Sequence, residues 1–194
     1  RVKRVVWRDG WWAHAKRVRS PNFGPRPQGE RITLAIVHSI SLPPGEYGGD
    51  AVERFFTNRL DAAAHQYFEQ ISAQRVSSHF FIRRDGAVVQ FVSCDQRAWH
   101  AGTSQWRGRD NCNDWSIGIE LEGLEGERFE RAQYRALIRL LHALRVRYAL
   151  TEVIGHEHVA PSRKADPGAQ FEWPRLARAF LGRLAMAQDL AKTK

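Results

Sequence analysis

The run Thr33-Leu34-Ala35-Ile36-Val37 ends in His38, and it restricts the fold more than any other feature of the chain. It is apolar and rich in β-branched residues, which reads as a buried strand. Sites in α/β sheets favour the carboxyl ends of strands, which is where His38 falls. More than a hundred residues later, Gly155–Gly168 (GHEHVAPSRKADPG) crowds His156, His158, Lys164 and Asp166 into one loop-like segment. A fold that unites these groups has to bring that loop to the strand's end. Two imidazoles and one carboxylate are the ligand set of a catalytic zinc that keeps its fourth position open. With a nearby carboxylate such as Glu120, and the cation Lys164, the parts list is that of a metal-assisted hydrolase.

Length and charge narrow the setting. The 194 residues suit one domain with a sizeable core, and 43% hydrophobic with 26% charged residues is ordinary for a globular protein. No apolar run approaches the ~20 residues of a membrane helix. The first twenty residues are basic and lack the unbroken apolar stretch of a secretory signal. Two cysteines, Cys94 and Cys112, are too few for a disulfide scaffold and are compatible with a reducing compartment. A cytoplasmic protein is expected.

The net charge of +9 raises nucleic acid as a partner. Residues 1–31 carry nine Lys/Arg against two acids, and residues 163–194 carry seven against three. The middle of the chain, by contrast, is slightly acidic. A basic arm binds phosphates by counterion release, and Trp7, Trp11 and Trp12 offer stacking faces. No helix-turn-helix or zinc-finger motif accompanies them, so nucleic acid is not expected as the main partner.

Along the chain, Ser20–Gly29 (SPNFGPRPQG) reads as an extended segment and Ser41–Gly49 (SLPPGEYGG) as loop. Asp50 with Glu53 resembles a capping box for a helix through AVERFF. Asp85-Gly86 is a two-residue signal for a tight hairpin between His79–Arg84 and Ala87–Val92. Ser116–Leu121 alternates as a strand with Glu120 near its end, and Val153–His156 reads as a short strand. From Glu130 to Tyr148, Tyr134, Leu137, Ile138, Leu141, Leu144 and Tyr148 recur at helical spacing, with Arg131, Arg135 and Arg139 on a solvated face. A last helix has Pro174 in its first turn. The expected architecture is α/β: a single domain whose central mixed β-sheet is flanked by helices.

Spacing alone leaves the ligand set open. His158 competes with His156, because strand residues two apart face the same side. His79 and His100 are further candidates, and Glu122 shares the parity of Glu120.

Five blocks carry a resemblance: VHSISLPPGEYGG, RVSSHFFIRRDG, RAWHAG, CNDWSIGIELEG and GHEHVAPSRKADPG. In this order they resemble the AmpD-type N-acetylmuramoyl-L-alanine amidases, over roughly residues 10–180. The resemblance implies a cytosolic zinc amidase with a fold shared with phage amidases and peptidoglycan recognition proteins. Its expected substrate is a 1,6-anhydro-muropeptide, cut between the lactyl group and L-alanine during cell-wall recycling. Matched position by position, it places one Zn²⁺ per chain on His38, His156 and Asp166, and leaves His158 out. It makes Glu120 the catalytic carboxylate and Lys164 the catalytic lysine. Arg75 matches a stem-peptide contact, and Ala98 and Trp99 match the lining of the sugar–peptide cleft. Asn111 stands where some relatives carry arginine, which puts an arginine clamp on a peptide carboxylate in doubt.

Residues 1–31 are then expected as a basic N-terminal arm leading into the domain, 32–185 as the zinc amidase domain, and 186–194 as a C-terminal tail. Two rivals remain: an amidase of intact peptidoglycan, and a non-catalytic peptidoglycan-binding protein on the same fold. The presence of the whole set of ligand and catalytic matches favours an enzyme over the binder.

Overall fold

The computed structural model describes residues 6–187. Its centre is a mixed sheet of seven strands: β1 (Lys16–Arg17), β2 (Leu34–Ile40), β3 (Phe80–Ile82), β4 (Val88–Gln90), β5 (Ser116–Glu122), β6 (Glu152–Gly155) and β7 (Ala185–Met186). They lie in the order β7-β6-β2-β5-β3-β4-β1, and only β3 and β4 run antiparallel. The helices are α1 (Ala51–Phe56), α2 (Gln66–Ile71), α3 (Arg131–Tyr148), α4 (His156–Val159) and α5 (Trp173–Phe180). The expected single mixed sheet flanked by helices is what forms, and no described helix is long and apolar enough to cross a membrane.

Side-chain parity explains how the sheet divides its two faces. In β5, Ile117, Ile119 and Leu121 point to the face covered by α3 and α5, with Ala35 and Val37 of β2. There Leu137, Leu140, Leu141 and Leu144 of α3 are fully buried. Each such side chain stabilises the fold by about 1.5–3 kcal/mol relative to leaving it exposed. The opposite parity carries Leu34 and Ile36, which pack with Cys112, Trp115, Ile154 and Val159. His38 continues that second face in β2, as Ser116, Gly118 and Glu120 do in β5. The parallel register pairs Glu120 with His38 directly. Polar residues thus gather on one face, at the carboxyl ends of adjacent strands.

Local details differ from the sequence reading where a stronger partner wins. Asp50 precedes α1 but makes no side-chain cap; its carboxylate instead accepts from Arg54 Nε at 2.7 Å. The hairpin between β3 and β4 closes on the Arg83–Ala87 backbone pair, so its loop holds Arg84, Asp85 and Gly86. Asp85 causes this by accepting the Ala87 amide, a side-chain turn that lengthens the loop by one residue. At α3, Gln133 Oε1 accepts the Glu130 amide, while its Nε2 donates to the carbonyls of Ile82 and Glu122. One buried glutamine thereby ties the helix to two strands.

The segment 6–31 makes several contacts with the sheet and its core. Trp7–Arg8 pairs with Trp11–Trp12, and Trp12 enters the main core, stacked on Trp7. Trp11 is covered by Arg17, 4.4 Å from its ring. Arg26 reaches beneath the sheet and donates to the carbonyls of Cys94, Asn113, Asp114 and Ser116. The strand pair at Ala185–Met186 crosses the boundary drawn at 185, and residues 188–194 of the expected tail lie outside the described residues.

His79 is a wholly buried polar group of this frame. Its Nδ1 accepts the Gly118 amide at 3.1 Å, so Nε2 carries the proton and donates to Gln96 O at 2.9 Å. Burial, and then the charge of Arg26, lower its pKa to about 3. The unfolded chain protonates this imidazole near its ordinary value of 6.5 while the native state does not. Stability therefore falls as pH drops below 6.5, by up to about 1.4 kcal/mol per unit, until the folded value is reached. Denaturation midpoints measured from pH 7 to pH 4 should show a shallower decline for His79→Asn than for the wild type. Identical slopes would show that His79 is not held neutral.

Candidate active site

The carboxyl ends of β2, β5 and β6 open into a cleft of about 550 Å³, within the range of small-ligand sites. His38 is the fifth residue of β2 and is 2% exposed. β6 ends at Gly155, and His156 begins the helical turn α4. Gly155 is required there by close approach: a Cβ would lie 2.8 Å from Pro167 Cδ. The loop after α4 folds back over this glycine, and the Glu157 amide donates to the Asp166 carbonyl at 2.9 Å. Ten residues of chain thus return Asp166 to the side of His156.

Three donor atoms converge in the buried space so formed. His38 Nδ1 and His156 Nδ1 are 3.0 Å apart. Asp166 Oδ2 lies 3.2 Å from His38 Nδ1, and Oδ1 lies 3.1 Å from His156 Nδ1. His156 Nε2 faces the Ala101 carbonyl at 3.1 Å, and a carbonyl only accepts, so the proton sits on Nε2 and Nδ1 is a bare lone pair. The lone pair of His156 Nδ1 and the carboxylate oxygens are electron-rich groups in mutual contact, and a cation among them relieves their repulsion. The spacings approach the roughly 3.3 Å edge of a tetrahedron with bonds of 2.0–2.1 Å, so the donor set fits zinc. Among the described residues this is the one such group of three.

Electrostatics fit the same arrangement. Burial lowers His38 to a pKa of about 4, with His156 adding to the effect, so the imidazole is neutral and ready to coordinate. Burial alone would raise Asp166, but its contacts with His156 and His38 outweigh that and hold it ionised. Glu120 Oε1 lies 3.9 Å from His38 Nδ1, and its Oε2 is buried with no hydrogen-bond partner. Burial, then the charge of Asp166, raise its pKa well above the ordinary value, while Lys164 opposes the shift. Glu122 has the same parity and a different fate: it accepts from the amides of Gly48 and Arg84. Of the two acids, Glu120 alone lines the cleft.

With this geometry in place, comparison with known proteins identifies the chain. The family model for N-acetylmuramoyl-L-alanine amidase matches residues 28–169. The chain belongs to the N-acetylmuramoyl-L-alanine amidases. A 1,6-anhydro-N-acetylmuramyl-L-alanine amidase, AmpD of Citrobacter freundii, is 50% identical over 169 residues, covering 86% of this chain and 90% of that protein. The crystal structure of a selenomethionine AmpD derivative matches with a TM-score of 0.86 and 47% identity, over 90% of this chain and 99% of its own. The amidase AmiD from E. coli, in complex with anhydro-N-acetylmuramic acid-L-Ala-D-gamma-Glu-L-Lys, matches with a TM-score of 0.59 and 28% identity, over 86% of this chain and 65% of its own.

The amidase brings His38, His156, Asp166, Glu120, Lys164, Arg75 and Trp99 to one cleft. Lys164 stands on its rim, and Arg75 is exposed, with Nη1 donating to Ser72 O at 3.2 Å. Two expected contacts are placed elsewhere. Ala98 is wholly buried in the cluster beneath α1 and α2, because its strand position points its methyl inward. Asn111, at the start of a 3₁₀ turn, does not line the cleft but an adjoining concavity with Arg97 and Asp110, which shares Gly102 and Asn113 with it. The strand argument that paired His156 with His158 fails because that stretch is helical, where residues two apart diverge. His158 turns back to accept the Gly155 amide and packs its ring on Trp173.

Gly155 is the backbone joint between His156 and Asp166. Gly155→Ala should destabilise the amidase by about 1–3 kcal/mol, as overpacking does. It should also push the Asp166–Pro167 segment outward, which would weaken the grip of the three converging groups on any metal ion. A denaturation midpoint and a metal titration within error of the wild type would show that the joint is not needed.

Proposed function

We propose that this amidase binds one zinc per chain through His38, His156 and Asp166 and hydrolyses the amide between the lactyl group of 1,6-anhydro-N-acetylmuramic acid and L-alanine of muropeptides. The observation that carries the reading is the buried convergence of two imidazole nitrogens on a carboxylate. The AmpD and AmiD relatives support the substrate class. A role in cell-wall recycling in the cytoplasm belongs to the same proposal, on the strength of the anhydro-sugar specificity that the AmpD relatives are named for.

A zinc held by His38, His156 and Asp166 would lower the pKa of water from about 15.7 towards 7 and would polarise the scissile carbonyl. Glu120, whose Oε1 lies 3.9 Å from His38 Nδ1, takes the proton of the attacking water and delivers it to the leaving amine. Burial raises its proton affinity, which strengthens the carboxylate as a base. Lys164 places a cation at the rim, where charge develops on the carbonyl oxygen; losing one such donor costs about 2.7–4 kcal/mol. Trp99 offers an apolar ring to the sugar face, and Arg75 a guanidinium to a carboxylate of the stem peptide.

Metal analysis of the purified protein should give one zinc per chain, and His38→Ala or Asp166→Ala should remove it. Glu120→Ala and Lys164→Ala should fold, keep zinc and lose at least ~10²-fold in kcat. Glu122→Gln, which breaks a structural anchor, should lower stability more than it lowers turnover. Zinc retained in both ligand variants, or near-wild-type turnover without Glu120, would overturn the assignment.

Substrate choice is tested separately. We expect kcat/KM on an anhydro-muropeptide to exceed that on its reducing-end N-acetylmuramic acid counterpart by about 10–200-fold, the range that shape and a few contacts provide. Release from intact sacculi should be slower still. Equal rates on all three would point to a general wall amidase and leave the zinc mechanism standing.

A further inference from the structure

Both histidines of the cluster are held from behind by one dipeptide. His38 Nε2 contacts His100 Nδ1 at 2.9 Å, and His156 Nε2 contacts the carbonyl of the next residue, Ala101, at 3.1 Å. The backbone of that dipeptide is itself clamped: Asn113 Oδ1 accepts the His100 amide at 3.1 Å and the Ala101 amide at 2.8 Å. The outer edge of the His100 ring meets Ser116 Oγ at 3.1 Å. Arg163, next to Lys164, donates to the Ala101 carbonyl at 2.6 Å and ties the metal-side loop to the same point.

The space for this device is built into β5. A Cβ on Gly118 would lie 2.5 Å from the His100 ring, so only glycine there admits the imidazole. Neither His100 nor Asn113 belongs to the converging donor set, and both are buried or nearly so. A merely space-filling ring would not require an imidazole nitrogen on one side and a hydroxyl on the other. Nor would a structural amide explain why Asn113 grips the two residues whose polar atoms face the two ligand imidazoles.

We propose that His100 and Asn113 are positioning residues for the metal: the His100-Ala101 dipeptide, fixed by Asn113, sets the tautomer and ring angle of both His38 and His156. His100 Nδ1 accepts from His38 Nε2, and its own Nε2–H is passed to Ser116 Oγ, which leaves His38 Nδ1 bare. Ala101 O does the same for His156. One carboxamide therefore couples two ligands that are 118 residues apart in the chain. Outer partners of ligating histidines typically set metal affinity by 10–100-fold.

The inference rests on the zinc reading above, and the experiment separates the two. Zinc affinity of the full chain is measured by competition with a chromophoric chelator, and ligand geometry by the visible spectrum of the cobalt(II)-substituted protein. His100→Leu and Asn113→Leu should each weaken zinc binding by about 10–100-fold and alter the cobalt spectrum. His100→Asn, whose side-chain oxygen can stand where Nδ1 stood, and Asn113→Asp, which keeps the accepting oxygen, should recover most of the affinity. The double variant should lose less than the product of the two single losses, because the residues act through one dipeptide. Should the leucine variants fail to fold, Ser116→Ala tests the far end of the relay and should weaken zinc several-fold. Wild-type affinity and spectrum in the folded leucine variants, or in Ser116→Ala where those do not fold, would overturn the proposal. Equal losses in the leucine and the conservative variants would also overturn it. A wild-type chain that binds no zinc would overturn the underlying reading instead.

Discussion

Two imidazole nitrogens and a carboxylate, held about 3 Å apart out of water, are the arrangement on which the rest of this structure depends. Acceptor groups in such contact repel, and burial deprives them of the solvent that would relieve it. The fold imposes their proximity from several directions. Parallel register sets His38 beside Glu120, and the short turn α4 swings His156 out of the line of β6. The return of the chain over Gly155 supplies the third group. Each imidazole is also engaged on its outer nitrogen, which fixes the atom it turns inward.

How much of this could be read in the residues depends on the range of the interaction involved. The strands at Leu34–Ile40 and Ser116–Glu122 announce themselves through β-branched and alternating residues, because burial of one or both faces is a local demand on composition. The helix over Arg131–Tyr148 does so for the same reason, with Arg131, Arg135 and Arg139 left on its solvent side. What stayed hidden was competition. Asp50 had two partners within reach, and the guanidinium of Arg54 outbid the helix amide. His156 reads as the last residue of a strand until the loop beyond it is seen to need a helical turn. The N-terminal segment carries little periodicity, yet Trp12 is a core residue, because a core position is set by what packs over it.

The site itself was legible in part. Ligand types and their placement after strands identified the region, but spacing left His158, His79 and His100 as rivals to His156. The structure separates the four by what each ring faces. His158 faces a backbone amide and an indole, and His79 an amide and a carbonyl. His100 faces another imidazole, and only His156 and His38 turn a nitrogen to the carboxylate. Ala98 and Asn111 show the opposite limit, since matching a position in a motif does not tell which wall of a loop its side chain lines.

The pair Glu120 and Glu122 shows how two like residues on one face of one strand are given different chemistry. Glu122 lies past the last sheet pairing on the β3 side, where the amides of Gly48 and Arg84 and the guanidinium of Arg83 surround it. Both of its oxygens are thereby engaged. Glu120, two residues earlier, is packed between strands, with Asp166 as a neighbouring negative charge and one oxygen without a partner. Its charged form is costly there, which raises its proton affinity. A cation in the histidine–aspartate cluster, together with Lys164 at the rim, would draw the same group back towards ionisation near neutral pH. With such a cation bound, the proton affinity of Glu120 would be set by the balance of burial against two nearby positive charges, on the second face of β5.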